Sequence, residues 1–473
     1  MSSLDTDSAS TFPTDPNVRR RPGTFSTNSK SPHFDRYWLH RLVFLRQDNT
    51  SATKIQEQDD NSTTTTTSFP DRPLYIAAPM VDASELPFRL LCRKYQCDVC
   101  FTPMIHAKLF GTSKNYRAKF ALHETIGPRD RPLLAQLCGS NSQHLWETAQ
   151  AIAPYCDGID LNCGCPQNIA RRGHYGAFLL EETDTLVNVV QELVAKCETI
   201  HLPVSVKVRL LPGETREERL KKSLHLYKRL VNEAGIAMLT VHGRTRYQKG
   251  PLTGSSDWDA IATIVQILGD KIPIIANGGI DSLESVYDCY QHTKVDGVMS
   301  SEAILEYPPL FASLPDSVSP NGVPTPIPRI GRTQLALEYL QLANEYPPNV
   351  HGQGSGLKSI RLHIHRFLHA DLQVHTNIRQ LIIDAESCDD MTSAIRQLET
   401  IHRKDHHVPE QETLSWYLRF RQEGCENNDT NTLDVDKANS DDEPADKSLE
   451  TIKYNNEMTQ EEEDAMCCDV LFK

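Results

Sequence analysis

What this 473-residue chain lacks narrows its class early. No apolar run approaches the roughly 18 residues of a membrane-spanning helix. The opening stretch MSSLDTDSASTFPTDPN has no apolar core of a secretory signal, and Asp5, Asp7 and Asp15 are unlike an organellar presequence. Cys467 and Cys468 stand near the end, but a C-terminal LFK is no prenylation signal. The expectation is a cytoplasmic and/or nuclear protein with no membrane partner. The thirteen cysteines are scattered and odd in number, which argues for a reduced compartment over a disulfide framework. Cys92, Cys97 and Cys100 have the look of a metal cluster. They fall in LLCRKYQCDVC, a helix running into a strand, with no second set nearby, so they read as small buried hydrophobes and no structural metal is expected. No G-x-G-x-x-G follows the first apolar run, which disfavours a dinucleotide-binding Rossmann fold. Basic residues are in deficit, 49 against 63 acidic, for a formal charge of −14. Phosphate binding needs a positive surface, so the total speaks against a nucleic-acid partner. The deficit is local, however. Residues 424–473 hold 15 acidic and 4 basic side chains, which carry −11 of the total and leave −3 for the rest.

Residues 1–70 are mostly Ser/Thr/Asp-rich, with a run of threonines at 63–67, and read as a disordered extension with a low-complexity insertion. Inside it, FDRYWLHRLVFLR is apolar and aromatic enough to dock on a folded surface. From Tyr75 short apolar runs alternate with amphipathic helical patterns eight times: YIAAPM, DVCFTPM, PLLAQLC, GIDLNC, VSVKVRL, AMLTVHG, PIIANGG and DGVMSS. Apolar strands joined by crossover helices predict a parallel sheet buried on both faces. Eight such units predict an α/β fold, a (β/α)8 TIM barrel over 71–315. A Pro-rich joint at 313–328 ends it, and only helical patterns follow. A small all-α helical domain is expected over 329–423, then an acidic disordered tail over 424–473.

Barrels of this kind bind ligands at the C-terminal ends of their strands. Pro79, Met80, Gln136, Asn162, Cys163, Cys165, Lys207, Arg209, His242, Arg244, Asn277, Gly278, Gly279, Ser300 and Ser301 collect there. A lysine within a buried strand has no comfortable core role, which singles out Lys207. A lone cysteine is more often a buried structural residue, and a lone strand-end histidine is as often structural as functional. The small residues closing the last two units leave backbone N–H groups open to a phosphate.

These motifs, APMVDASELPFR, DLNCGCPQ followed by RRGHYGAFLL, VKVRL, VHGRTR, and ANGGI followed by DGVMSSEA, resemble the tRNA-dihydrouridine synthase family. The wording is most similar to the eukaryotic branch that acts at tRNA positions 16 and 17. The resemblance implies an enzyme that binds FMN, takes electrons from NADPH or NADH, and reduces uridine in tRNA. It implies that Cys165 protonates C5 of uracil after hydride from reduced FMN reaches C6. Pro79, Met80 and Val81 would lie along the isoalloxazine ring and Gln136 would meet its pyrimidine edge. Lys207 would face the anionic edge of reduced flavin, and His242 and Arg244 would border flavin and uracil. Asn277, Gly278, Gly279, Ser301 and Glu302 fall where the family holds the phosphate. There the commoner Gly-Arg is replaced by Ser301-Glu302, which removes a cation and predicts weaker FMN retention. Cys163 is a second departure, expected to pack, with a thiol near enough to Cys165 for a disulfide under oxidation.

On the substrate side stand Asn162 and Arg209, with Arg171, Arg172 and His174 in a loop after Cys165 placed to clamp phosphates. Helical period puts Lys358, Arg361, His365 and His369 on one stripe of a single helix beside Leu357, Ile360, Ile364 and Phe367. A solvated basic stripe is the plain alternative; the resemblance favours tRNA as partner. Two other functions compete: an FMN barrel acting on a free pyrimidine, which leaves the helical region idle, and a non-catalytic tRNA-binding protein, against which the filled catalytic positions argue.

Overall fold

The computed structural model describes residues 36–47, 72–118, 120, 127–319, 322–348, 356–405, 415 and 417. Most of 1–70 and the acidic tail 424–473, both expected to be disordered, lie outside the described residues. The strands are β1 (Leu74–Ala77), β2 (Val99–Phe101), β3 (Ile105–His106), β4 (Leu133–Cys138), β5 (Gly158–Cys163), β6 (Val204–Arg209), β7 (Met238–His242), β8 (Ile274–Asn277) and β9 (Gly297–Ser300). Neighbours are parallel, in the order β2-β1-β9-β8-β7-β6-β5-β4-β3, and β2 pairs back onto β4 through Cys100↔Leu133 and Phe101↔Leu134. That pairing closes an eight-stranded barrel, with β3 a two-residue addition beside β4.

The crossover helices begin where side chains satisfy free backbone donors. Thr215 Oγ1 accepts from the Glu218 amide at 3.1 Å, ahead of the helix Arg216–Asn232, whose first turn carries Glu217 and Glu218. Asp257 caps Trp258–Leu268, and a Ser282/Ser285 capping box starts Leu283–Thr293.

Strand side chains alternate between the helix layer and the barrel interior. At the N-terminal end of the barrel the inward residues are apolar. Leu74, Ile76, Val99, Phe101, Leu134, Met238, Ile275 and Met299 form one buried cluster with Trp38, Leu39 and Val43 of the helix Trp38–Gln47. The apolar segment of the N-terminal extension thus plugs the closed end. Trp38 Nε1 donates to the Ala237 carbonyl at 2.9 Å, and Arg36 pairs with Asp296 at 2.8 Å.

Two expectations change. The Pro-rich joint is not a plain linker: Ser313–Val318 and Pro324–Pro326 form a short antiparallel ladder, turned through Gly322 at φ +79°. The pattern GLKSIRLHIHRFLHA is two helices, Gly356–Phe367 and His369–Val374, parted at Leu368. The helical period hides the break, because Ile364, Leu368 and Leu372 keep a four-residue spacing through it and are all buried. The helices Arg332–Glu345, Thr376–Asp384 and Cys388–Asp405 complete the helical region. Among the described residues no helix is long and apolar enough to cross a membrane.

Because Trp38 is 4% exposed and seals the barrel end, Trp38→Ala should cost about 3–5 kcal/mol of stability. Chemical denaturation checks this; an unchanged midpoint would show that the helix is not part of the folded unit.

Candidate active site

Farther along the same strands the inward residues turn polar. Asp160 on β5 is fully buried. Its carboxylate accepts from Ser205 Oγ at 2.7 Å and from Gln136 Nε2 at 2.8 Å. An ionised carboxylate only accepts, so Gln136 must turn its amide nitrogen toward it. The Gln136 oxygen then accepts from Asn162 Nδ2 at 2.9 Å. Asn162 Oδ1 is left to accept from the amides of Gly164 and Cys165, each at 3.0 Å. The chain of bonds fixes the loop that carries Cys165. Burial raises the Asp160 carboxyl to about 6, against the hydrogen bonds of Gln136 and Ser205 and the charge of Lys207.

Cys165 packs, with Val81 and Phe178, against a buried cluster of Met104, Cys138, Ala170 and Tyr175. Burial pushes the Cys165 thiol up; Arg209, Lys207 and Lys249 pull the other way and do not prevail. Cys165 is therefore a protonated, partly accessible thiol at neutral pH. Cys163, fully buried, packs into the separate cluster between barrel and helices. The two thiols occupy different clusters and both are free. Cys92, Cys97 and Cys100 lie in that same core, with Cys97 and Cys100 sulfurs 3.8 Å apart.

Three cations share the mouth. Lys207 Nζ donates to Asn277 Oδ1 at 2.9 Å, and Asn277 Nδ2 donates to the Met299 carbonyl at 2.9 Å. Burial lowers Lys207 to about 8, with Arg209 adding to the fall. Arg209 reaches the carbonyls of Gly164 at 2.9 Å and Thr245 at 2.8 Å, and burial with Arg244 lowers it to about 10. Arg244 is anchored by the Gly254 carbonyl at 2.9 Å and by His242 Nε2 at 3.1 Å.

Gly278 (φ +103°) and Gly279 (φ +80°) lie next to His242. A Cβ at Gly278 would stand 2.8 Å from both His242 Cδ2 and Ser256 Oγ, so no other residue fits. Ser256 Oγ is buried without a hydrogen-bond partner among the described residues. An orphaned hydroxyl beside two left-handed glycines suits an anionic group such as the phosphate of FMN. Ser301 then leads into the short helix Glu302–Glu306. Pro79, Met80 and Val81 follow β1 in a turn closed by Ser84, whose Oγ bonds both the amide and the carbonyl of Met80 at 3.1 Å.

The helical region grips this turn. Ser359 Oγ donates to the Asp82 carbonyl at 2.6 Å, and Tyr339 donates to Glu85 at 2.7 Å. His363, fully buried and stacked on Phe88, contacts the other Glu85 oxygen at 3.1 Å. Sequence reasoning missed Asp160, Ser205, Glu85 and His363. A carboxylate inside the apolar run GIDLNC was the available signal for the first.

The substrate-side residues divide. Arg171 and Arg172 are exposed, on a short helix Asn168–Arg172 instead of a loop. Lys358 is exposed. Arg361 turns inward to the carbonyls of Ile382 and Ala385. Burial lowers His365 to about 4, so it is uncharged at neutral pH. His369 begins the next helix. The single basic stripe is thus not formed: helical period placed these residues on one face without showing that Arg361 would bond the C-terminal end of the helix Thr376–Asp384.

A closed barrel with polar groups converging on one mouth is the architecture of a β/α-barrel enzyme. Comparison with known proteins gives the particular family. Residues 76–404 match the dihydrouridine synthase (Dus) family model, and the chain belongs to that family. It is 39% identical over 318 residues to the Schizosaccharomyces pombe protein named tRNA-dihydrouridine(16/17) synthase [NAD(P)(+)], covering 67% of this chain and 74% of that protein. A mouse protein named tRNA-dihydrouridine(16/17) synthase [NAD(P)(+)]-like is 37% identical over 331 residues, 70% of this chain and 62% of its own length. The match thus spans less than two thirds of the mouse relative. A human protein named tRNA-dihydrouridine(20a/20b) synthase [NAD(P)+]-like is 36% identical over 238 residues, half of this chain.

The raised Cys165 thiol has a direct consequence. Alkylation by iodoacetamide needs the thiolate, so half-maximal labelling of Cys165 should require a pH above the ordinary thiol value of about 8.5. Peptide mass spectrometry across pH 6–10 reads this; rapid labelling at pH 7 would contradict it.

Proposed function

We propose that this protein reduces uridine to 5,6-dihydrouridine in the D-loop of tRNA, at positions 16 and 17, with Cys165 as proton donor. The observation that carries this reading is the held thiol. Asn162 fixes the Cys165 amide at 3.0 Å, and burial keeps the thiol protonated beside the Lys207 ammonium. A protonated thiol is an acid, suited to quenching an enolate-like C5 on the ring face opposite hydride attack. FMN, when bound, would accept electrons from NADPH or NADH and deliver hydride to C6 of uracil.

The chain's own residues supply the rest. Pro79, Met80 and Val81 would flank the flavin ring, and Gln136 and Lys207 would meet its pyrimidine edge. Gly278, Gly279, Asn277 and Ser301 would hold the phosphate, and His242 and Arg244 would border flavin and uracil. Glu302 brings a negative charge to that end, so FMN should be retained weakly. Asn162 and Arg209 would orient the uracil, which must leave its stack to reach a barrel mouth. Exposed Arg171 and Arg172 would clamp nearby phosphates. The barrel, 71–315, would carry the chemistry, and the helical region, 329–423, would hold tRNA through surfaces that include Lys358 and His369. The names of the fungal and mouse relatives favour positions 16 and 17 over 20a and 20b, whose named relatives match over a shorter stretch.

Deleting the gene and digesting total tRNA to nucleosides tests the reading. Dihydrouridine should fall at D-loop positions 16 and 17 and return with the wild-type gene. Cys165→Ala should not restore it, and in vitro should slow its formation by about 10²–10⁴-fold while bound flavin remains. Unchanged dihydrouridine at every site in the deletion would refute the proposal. Oxidation of the reduced enzyme by free uracil but not by tRNA would point to a small-molecule substrate instead.

A further inference from the structure

One side of the mouth carries an exposed aromatic group that the chemistry above leaves unused. Tyr247, in the loop after β7, is 44% exposed, and Leu252 in the same loop is 64% exposed. The tyrosine ring is held from one side. The Arg246 guanidinium lies 4.9 Å from its centroid and donates to its hydroxyl at 2.8 Å. The same guanidinium lies 5.1 Å from the centroid of Phe178 and pairs with Glu181. Phe178 packs in the cluster that contains Cys165. Lys249, two residues beyond Tyr247, donates to the Pro166 carbonyl at 3.2 Å, beside Cys165. The loop after β7 is thus tied at two points to the stretch that follows Cys165, at Pro166 and at Phe178–Glu181.

We infer that Tyr247 is a stacking platform for an unpaired nucleobase of the substrate RNA, next to the uridine that enters the barrel. The inference rests on the tRNA reading and names one of its contacts. A base has an apolar face of the size Tyr247 exposes, and stacking on an aromatic ring is how proteins hold bases taken out of a helix. The backing by Arg246 fixes the ring before binding, so little rotamer freedom is lost on contact. The charge nearby has the right sign. Arg171 and Arg172 are exposed at the end of the short helix after Cys165 and Lys249 is exposed in the loop after β7, while Glu181 offsets Arg246. A flat ring among ammonium and guanidinium groups suits a base joined to phosphates, and it suits an apolar peptide poorly.

Tyr247→Ala and Tyr247→Trp in the full-length, flavin-loaded protein test this with unmodified tRNA as substrate. Tyr247→Ala should lower kcat/KM for dihydrouridine formation about tenfold or more, and Tyr247→Trp should stay within about twofold of wild type. The dissociation constant for tRNA should rise in Tyr247→Ala while its dependence on salt concentration keeps the same slope, because no phosphate contact is lost. Reduction of the bound flavin by NADPH without tRNA should proceed at the wild-type rate. Wild-type kcat/KM in Tyr247→Ala would overturn the inference. So would Tyr247→Trp failing as badly as Tyr247→Ala, or a loss confined to NADPH, which would place a dinucleotide on the ring. If the wild-type protein makes no dihydrouridine at all, the proposed function falls, and the tRNA-binding arm still decides this inference.

Discussion

Asp160 is a carboxylate enclosed by the barrel, and its two acceptor bonds decide the direction of every amide between it and Cys165. Ser205 and Gln136 donate to it; Gln136 then accepts from Asn162, and Asn162 accepts from Cys165. Amide side chains can each face either way, so a row of them is ambiguous unless one end is fixed. Asp160 fixes that end while it is ionised. Its pKa of about 6 keeps it so at neutral pH. A proton on Asp160 would make it a donor and allow the row to reverse, leaving the Cys165 amide facing a nitrogen. The loop that carries Cys165 is therefore held by a charge that lies three side chains away.

A buried carboxylate is costly unless compensated, and the layering of the barrel explains how the cost is met. The half of the interior nearest the strand N-termini is closed by Trp38, Leu39 and Val43 over Phe101, Met238 and Met299. This packing shuts water out from that side. In the polar half Ser205 and Gln136 hydrogen-bond the carboxylate directly, and Lys207 with Asn277 and the Met299 carbonyl forms a second bonded set on the far wall. The N-terminal helix and the polar mouth are thus opposite ends of one column of side chains. The helical region adds a second fixed point, because Glu85 and Asp82 in the turn after Met80 are bound by Tyr339, His363 and Ser359.

Much of this was legible in the sequence. Eight apolar runs separated by helical patterns gave the barrel, and strand-end residues such as Gln136, Lys207 and Asn277 do converge on one mouth. What periodicity could not show is where a polar side chain on a correctly placed element points. Arg361 belongs to a helix, as read, but its guanidinium caps carbonyls of the neighbouring helix. His365 is on the expected face, but it is half-buried there and burial leaves it uncharged. Asp160 looked like one residue of a strand, because its importance lies in partners 24 and 45 positions away. Long-range hydrogen bonds leave no spacing signal. The docking of the apolar segment around Trp38, Leu39 and Val43 was readable, but its target was not.

Net charge gave the least guidance of all. The total of −14 is dominated by residues 424–473, whereas the mouth gathers Lys207, Arg209 and Arg244. Burial and mutual repulsion lower Lys207 to about 8 and Arg209 to about 10. A cation whose proton affinity is depressed is held in an unfavourable environment, and an anion entering that environment relieves it. Proton affinity and anion affinity are linked, so each strengthens the other. The sequence total measures solubility and long-range steering. Three like charges confined by burial measure local demand for negative charge, and that demand is set at the mouth whatever the tail contributes.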